Sequence, residues 1–153
     1  MLVQPTLDTL NQLKLYGMAA ALSEQLTQSA AAGLAFEDRL ALLVQREVVH
    51  RENRRLARLL QLAQFKQRAC LEDIDYRARR GLDRNQLASL ASGDWIRNAQ
   101  NLLVHGATGC GKTFLACALG QQACRQGLSA LYLRAPRLFD ELSVCHADGS
   151  FRQ

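Results

Sequence analysis

Aromatic residues are scarce in this chain, at 6% of 153 positions with a single Trp, and proline occurs only twice. No apolar run approaches the ~18 residues needed to cross a bilayer, which excludes a membrane span. The five cysteines (70, 110, 117, 124 and 145) are odd in number and contain no C-x-x-C pair. A small disulfide scaffold and a ribbon-type zinc site are therefore both excluded. Lysine supplies 3 of the 19 cationic side chains, so the positive charge is carried by arginine. The first 25 residues hold one Lys together with Asp8 and Glu24. That pattern suits neither a secretory signal nor an acid-poor transit peptide, and a cytoplasmic protein is the expectation.

What is present is globular: 48% apolar and 22% charged residues, with ten glycines. The length allows one ordinary domain, or a small domain joined to part of another. The net charge of +5 is uneven. Residues 1–38 sum to −3, residues 39–97 to +6 and residues 98–153 to +2. Arginine suits phosphate through its forked donors, and equally suits helix salt bridges, so charge alone names no partner.

The first half reads as helix. Thr6 is placed to cap an amphipathic segment with Leu7, Leu10, Leu13 and Leu15, interrupted at Gly17 and resumed by Met18, Ala19, Leu22 and Leu26 to about Ala31. Gly33 ends that unit. A longer helix is predicted from Phe36 to about Gln67, with Phe36, Leu40, Leu43, Val44, Val48, Leu56, Leu59, Leu60 and Ala63 at helical spacing. Within it Arg51, Arg54, Arg55 and Arg58 fall on one broad face. This is either a DNA-phosphate-contacting ridge or a solvated face supported by Glu47–Arg51 and Glu52–Arg55 pairing. Residues 70–101 change texture, carry a short predicted helix at Arg84–Ala91, and read as a connector.

The chemistry follows. Leu102–His105 is a short apolar predicted strand that runs straight into Gly106-Ala107-Thr108-Gly109-Cys110-Gly111-Lys112-Thr113. This is the G-x-x-x-x-G-K-[ST] phosphate-binding loop, the Walker A motif, in its required context of strand, turn and helix. A helix from Lys112 to about Gln126 and a second strand, Leu128–Arg134, complete a β-α-β pattern. Glycines let backbone N–H groups close on phosphate oxygens, and the helix N-terminus adds partial positive charge. Lys112 addresses the β/γ-phosphates of ATP, and Thr113 offers a hydroxyl to Mg²⁺. Cys117 and Cys124, seven apart on the same helix, read as small buried hydrophobes rather than ligands.

Hydrolysis needs a further carboxylate to hold Mg²⁺ and a group to orient water. The one acidic pair after the loop, Asp140-Glu141, follows Pro136 within a predicted helix from Pro136 to about Cys145. It therefore reads as an exposed pair, no catalytic residue is assigned, and the chain alone is expected to be inactive in hydrolysis.

Several motifs then occur in order. Thr6–Leu26 (TLDTLNQLKLYGMAAALSEQL), Arg51-Glu52-Asn53-Arg54-Arg55-Leu56, Gly81-Leu82-Asp83-Arg84, Asp94-Trp95 and Gly106–Thr113 resemble the IstB-like ATP-binding proteins. These are helper ATPases of bacterial insertion sequences, similar to the DnaC helicase loaders of the AAA+ class. The resemblance covers essentially the whole chain. It departs at Ala107-Thr108, where a proline-containing loop is common, and at Ala35, where a Ser often stands. It implies an α/β chain: an N-terminal all-helical domain (1–69), a linker or start of the AAA+ region (70–101), and a partial P-loop parallel-sheet domain (102–153). It also implies ATP binding with Mg²⁺, DNA binding, assembly as a homo-oligomer on DNA and a transposase partner, in a form truncated before the Walker B strand. The alternatives are a helicase-loader-like replication protein, or a non-enzymatic DNA/protein interaction module with a vestigial loop.

Overall fold

The structure is a computed structural model and describes residues 3–28, 33–76 and 81–150. Its elements are α1 (Val3–Gln12), α2 (Tyr16–Thr27), α3 (Phe36–Ala63), a 3₁₀ turn (Leu71–Asp73), α4 (Arg84–Ala91), α5 (Asp94–Arg97), α6 (Lys112–Arg125) and α7 (Ala135–Ala147). They divide into two compact units, with the boundary between Ala57 and Arg58 inside α3. Among the described residues no helix is long and apolar enough to cross a membrane.

In the first unit α1 packs on α2. Thr6 does not cap α1, because the helix begins at Val3 and takes in Pro5. A proline in the first turn loses no hydrogen bond there, since that N–H has no intrahelical acceptor. The break falls at Lys14 rather than Gly17: Lys14 is left-handed (φ 59°), and Leu15 N–H donates to the Leu10 carbonyl at 2.8 Å. Gly17 instead lies buried against α3, where an added Cβ would stand 2.8 Å from Arg46 O and Glu47 Cα. Glu47, itself buried, accepts from the Gly17 and Met18 amides and so caps α2 from a distant part of the chain. The expected end of α2 near Ala31 lies outside the described residues.

The predicted stripe on α3 is only partly covered. Leu59 and Ala63 are buried and Leu43, Leu56 and Leu60 half-buried, whereas Phe36, Leu40, Val44 and Val48 are exposed. The helix stops at Ala63, short of Gln67, because Gln64 turns left-handed (φ 51°). That frees the Ala63 carbonyl, which accepts from Tyr132 N–H at 2.8 Å.

The second unit is organised around α6. Leu115 and Leu119 pack with Leu87 of α4, while Cys117 and Ala118 pack with Ala69. Phe65 and Tyr132 close over the second cluster. Leu71, Ile74, Tyr76, Leu82, Leu87 and Leu90 of the stretch expected to connect the two halves thus pack in clusters with α6. Gly127 closes the helix in a Schellman arrangement, with Leu128 N–H donating to Ala123 O and Gly127 N–H to Cys124 O. Among the described residues no strand ladder forms. Leu102–His105 and Leu128–Arg134 are non-helical, but no backbone hydrogen bond joins them. A strand exists only through a paired neighbour, so apolar composition alone leaves these two segments unpaired.

Candidate nucleotide site

Gly106–Thr113 leads directly into α6, whose first residue is Lys112. Gly109 (φ 83°) and Gly111 (φ 97°) hold left-handed backbone that a side chain would strain. This double reversal folds the loop back across the helix start. Gly111 is the N-cap and makes no side-chain cap bond. Among the described residues, the N–H groups of Cys110, Gly111, Lys112, Thr113 and Phe114 donate to no backbone acceptor outside the helix. A helix start with uncommitted amides and a positive dipole end accepts an anion.

The Lys112 ammonium spans the loop, donating to the carbonyls of Gly106 (2.8 Å) and Ala107 (2.7 Å) with the Cys110 sulfur at 3.9 Å. The cation is therefore tied to the loop's own carbonyls. Thr113, half-buried, follows it at the second position of α6. Amide donors, a fixed ammonium and an adjacent hydroxyl are the donor set that a nucleotide polyphosphate with Mg²⁺ requires, so the residues present fit that group.

The other end of α6 is anchored. Arg125 pairs with Glu72 at 2.5 Å, and Cys70 approaches Gln121 at 3.4 Å. The Glu72 carboxyl is held below its ordinary value by its own backbone N–H and by the Arg125 guanidinium, and the pairing pushes Arg125 up in turn. A loop mounted on a helix pinned in this way keeps its donors in place.

The four ridge arginines, Arg51, Arg54, Arg55 and Arg58, all lie on α3 and are exposed. Arg51 is engaged by Glu47 at 2.7 Å, as the i,i+4 spacing predicts. Asp140 and Glu141 sit exposed on α7, with Glu141 paired with Arg137 at 2.8 Å. Cys117 and Cys124 are buried core residues.

Sequence reasoning missed three roles. Asp83 caps α4 by accepting from Asn85 N–H at 3.0 Å, and an Asp just before Arg84 could have signalled it. Trp95 donates its indole N–H to Leu90 O at 3.0 Å. Glu47 caps α2 from 30 residues away, a non-local bond with no sequence signal.

Against known proteins, residues 8–153 match the family model described as IstB-like ATP binding protein. The chain belongs to the IstB-like ATP-binding family. It is 57% identical over 152 residues to a Pseudomonas fluorescens protein named for ATP binding in insertion sequence IS1162, covering 99% of this chain and 66% of that protein. A Sinorhizobium fredii protein named in the same manner is 46% identical, with coverage of 99% and 62%. A Mycobacterium tuberculosis relative, also named for ATP binding in an insertion sequence, is 33% identical, with coverage of 95% and 58%. This IstB-like chain thus spans about three fifths to two thirds of the length of these relatives.

Proposed function

We propose that this chain is an ATP-binding helper of insertion-sequence transposition. It binds ATP with Mg²⁺ at Gly106–Thr113, contacts DNA without strong sequence preference through Arg51, Arg54, Arg55 and Arg58, and works beside a transposase. The observation that carries the reading is the Lys112 ammonium fixed over a glycine loop with free amides, in a chain matched almost end to end by an ATP-binding family.

In this reading the amides from Cys110 to Thr113 and the Lys112 ammonium would hold the β/γ-phosphates, and the Thr113 hydroxyl would be a ligand to Mg²⁺. Mg²⁺, when bound, would supply charge neutralisation. The helical part (1–69) serves DNA and partner binding, residues 70–101 brace α6, and residues 102–153 form the nucleotide part on a parallel sheet of the AAA+ kind. Assembly as a homo-oligomer on DNA, in the cytoplasm, completes the proposal.

Calorimetric titration of Mg²⁺ and ATP tests it. Lys112→Ala removes hydrogen bonds to a charged group, so affinity should fall at least about tenfold. Equal affinity in wild type and variant, with circular dichroism showing both folded, would sink the nucleotide reading.

A further inference from the structure

Helix α3 meets α2 along one side. Gly17 lies against Arg46, Glu47 and His50, Gln25 bonds to Arg39, and the Tyr16 and His50 rings lie 6.2 Å apart. A neighbouring side of the same helix carries Leu40, Val44 and Val48, which are 42%, 48% and 42% exposed. Single exposed apolar residues are ordinary on a protein surface. These three differ because spacings of four stack them in one row, and a helix with such a row buries it against another element.

Charges of opposite sign close the row at its two ends. Glu37 lies three residues before Leu40, and Arg51 three residues after Val48. At 3.6 residues per turn all five positions fall within an arc of about 80°. Glu37 is exposed and pairs with no cation among the described residues. Arg51, its side chain 63% exposed, uses its Nε on Glu47 and keeps both terminal nitrogens for another acid. The spacings 3, 4, 4 and 3 read the same from either end, with Val44 at the centre. Two copies of α3 laid antiparallel about Val44 therefore bring Glu37 to Arg51, Leu40 to Val48 and Val44 to its own counterpart. A parallel pair would set Glu37 on Glu37 and Arg51 on Arg51, so the charges select one orientation. A two-fold contact demands this self-complementarity, since each residue must suit its mate in both copies.

We propose that this side of α3 is a self-association face, on which a second copy of the chain docks antiparallel with Val44 on the two-fold axis. From Glu37 to Arg51 the contact runs about 21 Å and is one row of side chains wide, which places it with weak, reversible pairs. The inference rests on the homo-oligomer part of the proposed function and deepens it by naming the surface. It involves neither the nucleotide loop nor DNA. Arg51 is shared with the proposed DNA face, so the pairing is measured with DNA and nucleotide left out.

Sedimentation equilibrium of the 153-residue chain, from about 5 to 500 µM, reads the association. The expected result is a reversible monomer–dimer equilibrium. Val44→Glu sets two carboxylates together on the axis, and Glu37→Arg sets like charges together at both ends. Each should weaken dimerisation at least about tenfold. Leu42→Glu, at a position 53% exposed on the far side of α3, should leave it unchanged. All three sites are exposed, and circular dichroism melts check that each variant folds as the wild type does. Monomer throughout the range overturns the proposal and gives the row to a different partner. So does a dimer that Val44→Glu and Glu37→Arg leave intact, or that Leu42→Glu weakens as much. A chain that is monomeric here and still assembles on DNA would keep the homo-oligomer and remove this face, whereas no assembly in either setting would remove both.

Discussion

The Glu47 carboxylate accepts the Gly17 amide at 2.8 Å and the Met18 amide at 3.2 Å, while its other oxygen takes Arg51 Nε at 2.7 Å. One buried acid of α3 therefore caps the start of α2 and fixes an arginine of the basic face. Burial alone would raise its pKa. The Arg51 bond and the two amides outweigh that and hold it below the ordinary 4.5.

The first prediction concerns this contact. Glu47→Gln keeps an acceptor and loses the charge, and should cost about 1 kcal/mol at neutral pH. Because the folded pKa is lowered, the carboxylate's contribution is complete above the unfolded value and disappears as pH falls through the lower folded one. Wild type and variant should thus converge in strongly acid solution. Gly17→Ala forces a methyl to within 2.8 Å of backbone and should cost about 1–3 kcal/mol at any pH. Thermal melts followed by helix signal decide both, and a Gln variant equal to wild type at pH 7 refutes the contribution of the carboxylate charge.

Turnover is the second. With Asp140 and Glu141 exposed on α7, the chain alone should hydrolyse ATP negligibly, and their joint replacement by Asn and Gln should change nothing. Phosphate release by the purified chain, abolished by that double substitution without unfolding, would show that one of them serves the loop.

The arginine face supplies the third. If Arg54, Arg55 and Arg58 contact phosphate, replacing them with Ala should flatten the salt dependence of duplex affinity by up to about 0.9 per lost contact. Nucleotide affinity should stay nearly constant. Arg51 is left in place because it holds Glu47. Fluorescence anisotropy with a random-sequence duplex at several salt concentrations reads the slope, and an unchanged slope and affinity would reduce these arginines to surface charge.

Thiol chemistry gives the fourth. Burial pushes the Cys124 thiol above its ordinary 9.0, only partly offset by the Ala130 amide. Cys117 is fully buried, whereas Cys70, Cys110 and Cys145 are partly accessible. Alkylation mapped by mass spectrometry should label the latter three at least about tenfold faster, because they are accessible while Cys117 and Cys124 are buried and burial further disfavours the Cys124 thiolate. Bound ATP with Mg²⁺ should slow labelling at Cys110 alone. Unaltered Cys110 labelling at saturating nucleotide would place the phosphates elsewhere.

Local patterns were readable in the sequence. Arg84–Ala91 forms a helix with the predicted bounds, the loop sits at the head of its helix, and Cys117 and Cys124 share a buried face. Each depends on residues within a turn or two of one another. The left-handed Lys14 and Gln64, which end α1 and α3 early, were not readable because neither residue type signals that backbone. Nor was the state of Leu102–His105 and Leu128–Arg134, since strand formation depends on neighbours far along the chain.

Just past the end of α6, Gln126 donates its amide nitrogen to Ala91 O at 2.7 Å and accepts from Arg97 through its amide oxygen at 3.1 Å. A side chain with a donor on one branch and an acceptor on the other reads polarity in a fixed order. Glutamate would set a negative oxygen against the Ala91 carbonyl, leucine would leave both neighbours unsatisfied, and asparagine is one methylene short. Beneath it Gly93 has room for no Cβ, which would fall 2.4 Å from that oxygen. The join of α4 to α5 is thus held by one side chain in one orientation, and Gly93 is kept glycine by its left-handed backbone (φ 76°) whatever stands at position 126.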